Sequence, residues 1–600
     1  MTTKDAPDDA APVRARPQHS LRRVALEGLA FLRGEVRASE LWLVVIAALV
    51  GAAAGLATAT IGACAHGLQQ LLYGIDFDDR LSATTVIAHW RLLALPLGGG
   101  VLVLAGWLWA RRRDTTPVDP VEANALHGGR MSLRDSLFVA VQTIISNGFG
   151  ASVGLEAGYA QIGGALASLT GRAFHLRRSD LRTFVGAGAG AAIAAAFGAP
   201  LTGAFYAFEI VIGSYTVANI APVAAAALAA ALVTRLLNFE PMVIHASVAN
   251  DLVLSHYVLF AGLGLISAFF GVAIMRAVAW TESVTTHLPG PKGLRPVIGG
   301  CLLAGIAFFA PQTLSAGHGA MHLDLGENLP LLVLVFLIAT KASASVISLG
   351  FGFRGGLFFA SLYLGALLGR LFAVALAATG LGVNLDPMAA SLVGMGALAV
   401  AIVGGPFTMS FLVLETTGDF GLTAATLTAS LVASLLVRET FGYSFSTWRL
   451  HLRGETIRSA HDVGWLRTLT AGRMMRSDAP TIAADADLAE FRRRFPLGST
   501  RRVVALSPEG FYAGIVPTSS VFADADGEGL VSEYVTQASI ALRPDMNIKE
   551  IMSLFDRSGA DELAVTDGRG AVLGVLSEGY ATRRYAEELE KNRRDLVGGD

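Results

Sequence analysis

Polar and apolar positions are sorted along this chain in long blocks. Apolar runs of bilayer-crossing length recur from about residue 40 to residue 440, among them 41–65, 257–275 and 329–347, the last broken only by Lys341. Each run predicts a helix, because a segment in hydrocarbon must satisfy its own backbone hydrogen bonds. Residues 1–38 are polar, rich in Pro, Asp and Arg, and predict a disordered tail. After Gly454 the long runs stop, and charge and short alternation return. That change predicts a separate domain of strands and short helices over 454–600.

Composition strengthens the membrane reading. The chain is 53% apolar and only 16% charged, where a soluble domain carries about a quarter charged residues. Arg14, Arg16, Arg22, Arg23, Arg33 and Arg37 precede the first run, so the positive-inside rule places the N-terminus in the cytoplasm. Asp76, Asp78 and Asp79 then fall outside, and Arg111, Arg112 and Arg113 return inside. With the tail also cytoplasmic, the chain reads as a multi-pass protein of a bacterial inner membrane. It shows no short apolar core followed by a small-residue cleavage site, hence no signal peptide. The net charge of −2 says nothing about nucleic acid, but no basic patch interleaved with aromatics appears, so no nucleic-acid partner is expected. Cys64 and Cys301 sit in separate apolar runs and are expected as small buried hydrophobes. His127, His256 and His318 lie at element ends without an i, i+4 partner, so no metal site is expected.

One stretch departs from the apolar pattern. Residues 146–164 read SNGFGASVGLEAGYAQIGG, and put the carboxylate of Glu156 between glycines at the start of a helix-like run. A helix N-terminus offers unpaired N–H groups and a positive dipole end, which favour an anion. The stretch therefore predicts an anion site that its own acid can occupy. An internal repeat supplies a partner. Residues 198–209, GAPLTGAFYAFE, align without a gap on 404–415, GGPFTMSFLVLE, and Gly, Pro, Thr, Phe and Glu coincide. Upstream, Gly148-Phe-Gly150 aligns with Gly350-Phe-Gly352, and Gly164-Ala-Leu166 with Gly365-Ala-Leu367. Two halves, about 39–240 and 250–445, with interrupted helices at matching positions point to an inverted-repeat transporter or channel. The site would lie where the halves meet.

These motifs resemble the CLC family of chloride channels and chloride/proton exchangers. Gly154-Leu-Glu-Ala-Gly158 is similar to that family's G-[KR]-E-G-P motif, and Gly356-Leu-Phe-Phe-Ala360 to its G-x-F-x-P motif. The two Gly-x-Pro segments at 198–202 and 404–408 resemble its proline-started helices. The resemblance covers residues 39–453 and implies a homodimer in the lipid bilayer with one anion pore per subunit. It assigns Glu156 as the gate. Gly154, Leu155, Gly356, Leu357 and Phe358 would line the path of chloride and similar anions. It also shows departures. The family's pore serine has no counterpart in 115–122, where Thr116 is the nearest hydroxyl. Ser446 falls in the slot of the pore tyrosine, with Tyr443 three residues earlier. The inner glutamate of proton-coupled members is replaced by Ile210, next to Glu209. The repeat pairs Glu209 with Glu415, which favours a structural role for both.

The tail carries its own repeat. Residues 501–516 lie on 561–576, so that Gly510 meets Gly570 and Gly514 meets Gly574, each copy reading as strand, turn, strand. Asp487-Leu-Ala-Glu490 and Asn547-Ile-Lys-Glu550 read as capping boxes. The pattern resembles a tandem pair of CBS domains, about 468–525 and 528–590. The resemblance implies an adenine nucleotide between the copies. However, Ser520 and Tyr580 occupy the two slots of the ribose-binding acid. A dimerisation or allosteric role is expected ahead of nucleotide binding, with Ser577 and Thr481 as the residues to hold a nucleotide if one binds.

The expected fold is an all-α polytopic membrane domain of inverted repeats with broken helices, followed by an α/β tandem CBS domain. Two transport modes remain open: an anion channel gated by Glu156 and modulated by pH and the tail, or a chloride/proton antiporter with a displaced proton relay. A membrane-anchored sensor is a third reading, opposed by the Gly-broken helices that an anchor does not need. No nucleophile elbow, His-Glu-x-x-His or phosphate loop appears, so no enzyme is expected.

Overall fold

The computed structural model describes residues 40–76, 79–111, 117–237, 252–287, 292–380, 385–452, 469–523 and 529–597. The predicted tail 1–38, with Asp78, Arg112, Arg113 and Thr116, lies outside the described residues. The chain divides into two compact units, residues up to 120 with 129–446, and 121–128 with 447 onwards.

The first unit is built from helices that recur in order. They are α1 (Glu40–Tyr73), α2 (Ala94–Ala110), α3 (Leu133–Gly148), α4 (Glu156–Ala173), α5 (Arg178–Phe197), α6 (Pro200–Tyr206, continued by a π turn over Ala207–Ile212) and α7 (Val217–Leu236). The second series is α8 (Leu254–His287), α9 (Arg295–Phe309), α10 (Leu331–Gly350), α11 (Phe358–Ala378), α12 (Pro387–Val403), α13 (Pro406–Thr417) and α14 (Phe420–Thr440). Each helix of the first series has its counterpart in the second, and α6 and α13 both begin on proline, where the missing N–H costs nothing. Among the described residues, seven helices are long and apolar enough to cross a membrane.

Packing follows membrane rules. Large side chains such as Leu41, Leu49, Leu56, Leu228 and Leu232 are exposed, while Ala47, Ala54, Ala226 and Ala230 are buried. Lipid gives helices no reason to bury leucine; close backbone approach between small residues does the work instead. A Cβ at Gly163 would stand 2.1 Å from the Gly188 carbonyl, and one at Gly365 would stand 2.3 Å from that of Gly394. The same glycine contact thus joins α4 to α5 and α11 to α12. This logic corrects the expectation for the cysteines. Cys64 and Cys301 are free and exposed, not buried. In an apolar solvent the outward face of a helix is as apolar as the inward one, so hydropathy does not tell them apart.

In the second unit the two tail copies share a capped helix followed by an antiparallel hairpin. In the first, β1 (Thr481–Ala483) pairs in parallel with β2 (Arg502–Leu506), which pairs antiparallel with β3 (Tyr512–Pro517). In the second, β4 (Glu562–Thr566) pairs antiparallel with β5 (Val572–Ser577). Both hairpins carry an irregularity at the same place, between Ala505 and Leu506 and between Val565 and Thr566. Both predicted helix starts are capped: Glu490 N–H donates to Asp487 at 2.6 Å, and Asn547 and Glu550 bond each other reciprocally at 2.9 and 3.2 Å.

Candidate functional site

The functional centre of the first unit is the place where both interrupted helices are tied together. The chain leaves α3 at Gly148 and re-enters helix at Glu156; it leaves α10 at Gly350 and re-enters at Phe358. Gly150 and Gly352 turn the two loops with φ of 90° and 97°, values that glycine adopts without a Cβ penalty. The loops run antiparallel across each other. Gly154 N–H donates to the Gly356 carbonyl at 2.9 Å, and Gly356 N–H returns the bond to Gly154 at 3.2 Å. Each half also holds the other's loop by a serine: Arg354 N–H donates to Ser146 Oγ at 2.8 Å, and Ser152 N–H to Ser348 Oγ at 2.9 Å. Asn147 fixes the first loop further by donating to the Val153 carbonyl at 2.8 Å.

This cradle sets two helix N-termini beside one bridge. Neither α4 nor α11 has a side-chain N-cap, so their first N–H groups are left to a ligand or to Glu156. Glu156 is 4% exposed, and its Oε2 has no hydrogen-bond partner among the described residues. Its carboxylate folds back over Gly154, where an added Cβ would lie 1.8 Å from Oε2. Gly154 is therefore the floor of the carboxylate's seat. Leu155, Leu357 and Phe358 are buried around it. A buried ionisable group with an unpartnered oxygen is costly inside a membrane protein, which makes Glu156 the candidate at this site.

The structure brings Gly154, Leu155, Glu156, Gly356, Leu357 and Phe358 together. It also adds residues that motif reading passed over. The Phe358 ring lies 5.1 Å from that of Phe197 and 6.1 Å from that of Tyr206. Ser446 is placed second in the helix Phe445–Leu452 and is partly buried. Among the described residues, no hydrogen bond or ring contact joins Ser446 to the bridge. Lys341 is buried and donates to the carbonyls of Thr313 at 3.1 Å and Ser315 at 2.8 Å.

Glu209 and Glu415 close a reciprocal clasp. Glu209 follows α6 and accepts from Phe407 N–H, Thr408 N–H and the Thr408 hydroxyl, at 3.1, 2.8 and 2.6 Å, at the start of α13. Glu415 ends α13 and accepts from Leu201 N–H, Thr202 N–H and the Thr202 hydroxyl, at 2.7, 2.8 and 2.7 Å, at the start of α6. Each acid caps the other's helix, which is the geometry a carboxylate at a helix N-terminus favours.

In the tail, Thr481 opens β1 and Ser577 closes β5. The space between the copies is lined by Arg476, Pro480, Arg502, Val504, Ile515, Glu562 and Val575 and holds about 10 Å³, room for no more than one water. Arg502 pairs with Asp561 at 2.6 Å and Arg476 approaches Glu562 at 3.9 Å. The residues there do not fit an adenine nucleotide: the ribose acids are absent and the space is closed by the protein's own ion pairs.

Comparison with known proteins agrees with this geometry. Residues 99–438 match the voltage gated chloride channel family, and residues 531–587 match the CBS domain. The chain belongs to the CLC family. A putative ClcB-like chloride channel protein of Ralstonia nicotianae is 29% identical over 384 residues, covering 62% of this chain and 89% of the relative. The voltage-gated ClC-type chloride channel ClcB of Salmonella typhi is 27% identical, covering 66% and 95%. Among solved structures, a slow cyanobacterial Cl⁻/H⁺ antiporter matches with a TM-score of 0.60 at 23% identity, over 68% of this chain and 97% of that one. A eukaryotic CLC transporter matches with a TM-score of 0.59 at 20% identity, over 92% and 98%. At these identities the structures share the fold alone. This CLC chain is thus a multi-pass integral membrane protein of an anion-transporting family, with a CBS-containing tail.

Proposed function

We propose that this protein is a passive chloride conductance gated by Glu156. The observation that carries the proposal is the seat of the Glu156 carboxylate: buried, unpartnered at Oε2, and folded over Gly154 between two uncapped helix N-termini. An anion in that seat would meet the same backbone donors, so the acid and the ion compete for one place. Binding through backbone N–H groups and dipole ends, without a fixed countercharge, suits an ion that must also leave.

The names of related proteins divide between channels and proton-coupled antiporters. The passive mode is favoured by the fate of the other acids. Residue 210 is isoleucine, and Glu209 is committed to the α13 N-terminus by three hydrogen bonds. The reading also takes from the family a homodimer with a pore in each subunit and both termini in the cytoplasm.

Chloride efflux from liposomes tests the gate. Glu156→Ala should raise the flux and remove its pH dependence. An unchanged rate and an unchanged pH profile would remove Glu156 from the mechanism.

A further inference from the structure

Tyr206 is the last residue of α6, and its hydroxyl is unexplained by packing. Among the described residues nothing hydrogen-bonds it, and the side chain is only partly buried, so the hydroxyl is open to a ligand. Its ring packs at 6.1 Å from that of Phe358, the first residue of α11. The Gly154–Gly356 bridge ties the start of α11 to that of α4, whose first residue is Glu156, so the tyrosine stands beside the place where both helices begin. An independent sign that this convergence takes a ligand is Glu156 itself, 4% exposed with Oε2 unpartnered.

The repeat sharpens the point. The residue equivalent to Tyr206 in the second half is Leu412, which is fully buried in the core. The surrounding frame is two-fold: the loop bridge, the serine pair and the carboxylate clasp all come in matched copies. The hydroxyl is present on one side alone. A structural tyrosine in such a frame would bond the frame, as Tyr73 does by donating to the Phe149 carbonyl at 2.8 Å. Tyr206 instead keeps its donor unspent beside the seat.

We propose that the Tyr206 hydroxyl donates to the permeating anion once Glu156 has left its seat, and that it sets affinity and selectivity at that point. The backbone N–H groups at the mouths of α4 and α11 attract an anion of any shape. A single hydroxyl on a ring braced against Phe358 adds one directional donor, which favours a compact halide over a flat oxyanion such as nitrate. The inference rests on the anion-pore reading above.

The test uses the full chain and the Tyr206→Phe variant, which keeps the ring and removes only the oxygen. Chloride binding is measured by isothermal titration, and chloride and nitrate fluxes are measured in liposomes. Ser446→Ala and Glu156→Gln are run in parallel. A hydrogen bond to a charged group predicts that Tyr206→Phe weakens chloride binding by about tenfold, or 1.4 kcal/mol. The chloride-to-nitrate ratio should fall with it. Wild-type affinity and ratio in Tyr206→Phe, with Glu156→Gln still altering flux, would overturn the role of Tyr206 and leave the pore reading standing. The same losses in Ser446→Ala alone would overturn it as well. If neither chloride binding nor any effect of Glu156→Gln is found, it is the pore reading that fails.

Discussion

Gly154→Ala isolates the gate from the rest of the pore. Gly154 is not among the glycines with positive φ, so its backbone accepts alanine, and both hydrogen bonds to Gly356 survive. What does not survive is the carboxylate's seat. The new Cβ would stand 1.8 Å from Glu156 Oε2 and 2.8 Å from its carboxyl carbon, where ordinary contact begins at 3.4 Å. Glu156 must withdraw by about 1.5 Å or more, and a flexible side chain does so by changing rotamer. Inverting a 99:1 preference takes about 5.5 kcal/mol, and a clash this deep exceeds it. Gly154→Ala should therefore conduct like Glu156→Ala, with raised flux and a flattened pH profile. Gly356→Ala is the matched control. Its Cβ would meet nothing nearer than 3.6 Å, so its gating should stay near wild type. The assay is chloride efflux from liposomes between acidic and neutral pH. Wild-type rate and pH dependence in Gly154→Ala would refute the idea that the carboxylate's seat is the gate.

Two further expectations concern stability. Glu415→Ala removes three hydrogen bonds at the α6 N-terminus; at the value of such bonds in membranes the loss is about 2–5 kcal/mol, read from thermal unfolding in detergent. Thr202→Val should add little in that background, and full additivity would argue against the clasp. In the tail, Asp567 accepts from Ala571 N–H and Arg569 N–H at 2.8 Å each, and these bonds pull its carboxyl below the ordinary 3.8. A depressed carboxylate stabilises above its unfolded pKa and stops doing so as pH falls through its folded one. Asp567→Ala should speed hydrogen exchange in the β4–β5 hairpin at neutral pH, and the difference should vanish in strong acid. A difference that persists there would contradict the capping role.

Much of the frame was legible because it repeats. Gly148-Phe-Gly150 against Gly350-Phe-Gly352 marks the two loops, and the same spacing carries Ser146 onto Ser348, the serines that hold them. The pairing of Glu209 with Glu415 was also visible, but not that each caps the other's helix, since that depends on which ends meet in space. The exposed faces bearing Cys64 and Cys301 were hidden because lipid and core are equally apolar. Tyr206 was hidden for the opposite reason. In the repeat it stands opposite Leu412 and registers only as a mismatch, although a hydroxyl on one side of a symmetric frame is where a ligand-specific contact belongs. Thr481 and Ser577 were read from motif position, while the lining of the space between the copies by Arg476 and Arg502 is a matter of side-chain placement.

The central claim is passive conduction through a pore gated by Glu156. Chloride flux recorded together with proton movement, in liposomes holding the wild-type chain, tests it most directly. The account predicts chloride efflux with no proton uptake in fixed proportion. Protons driven uphill by a chloride gradient would contradict it.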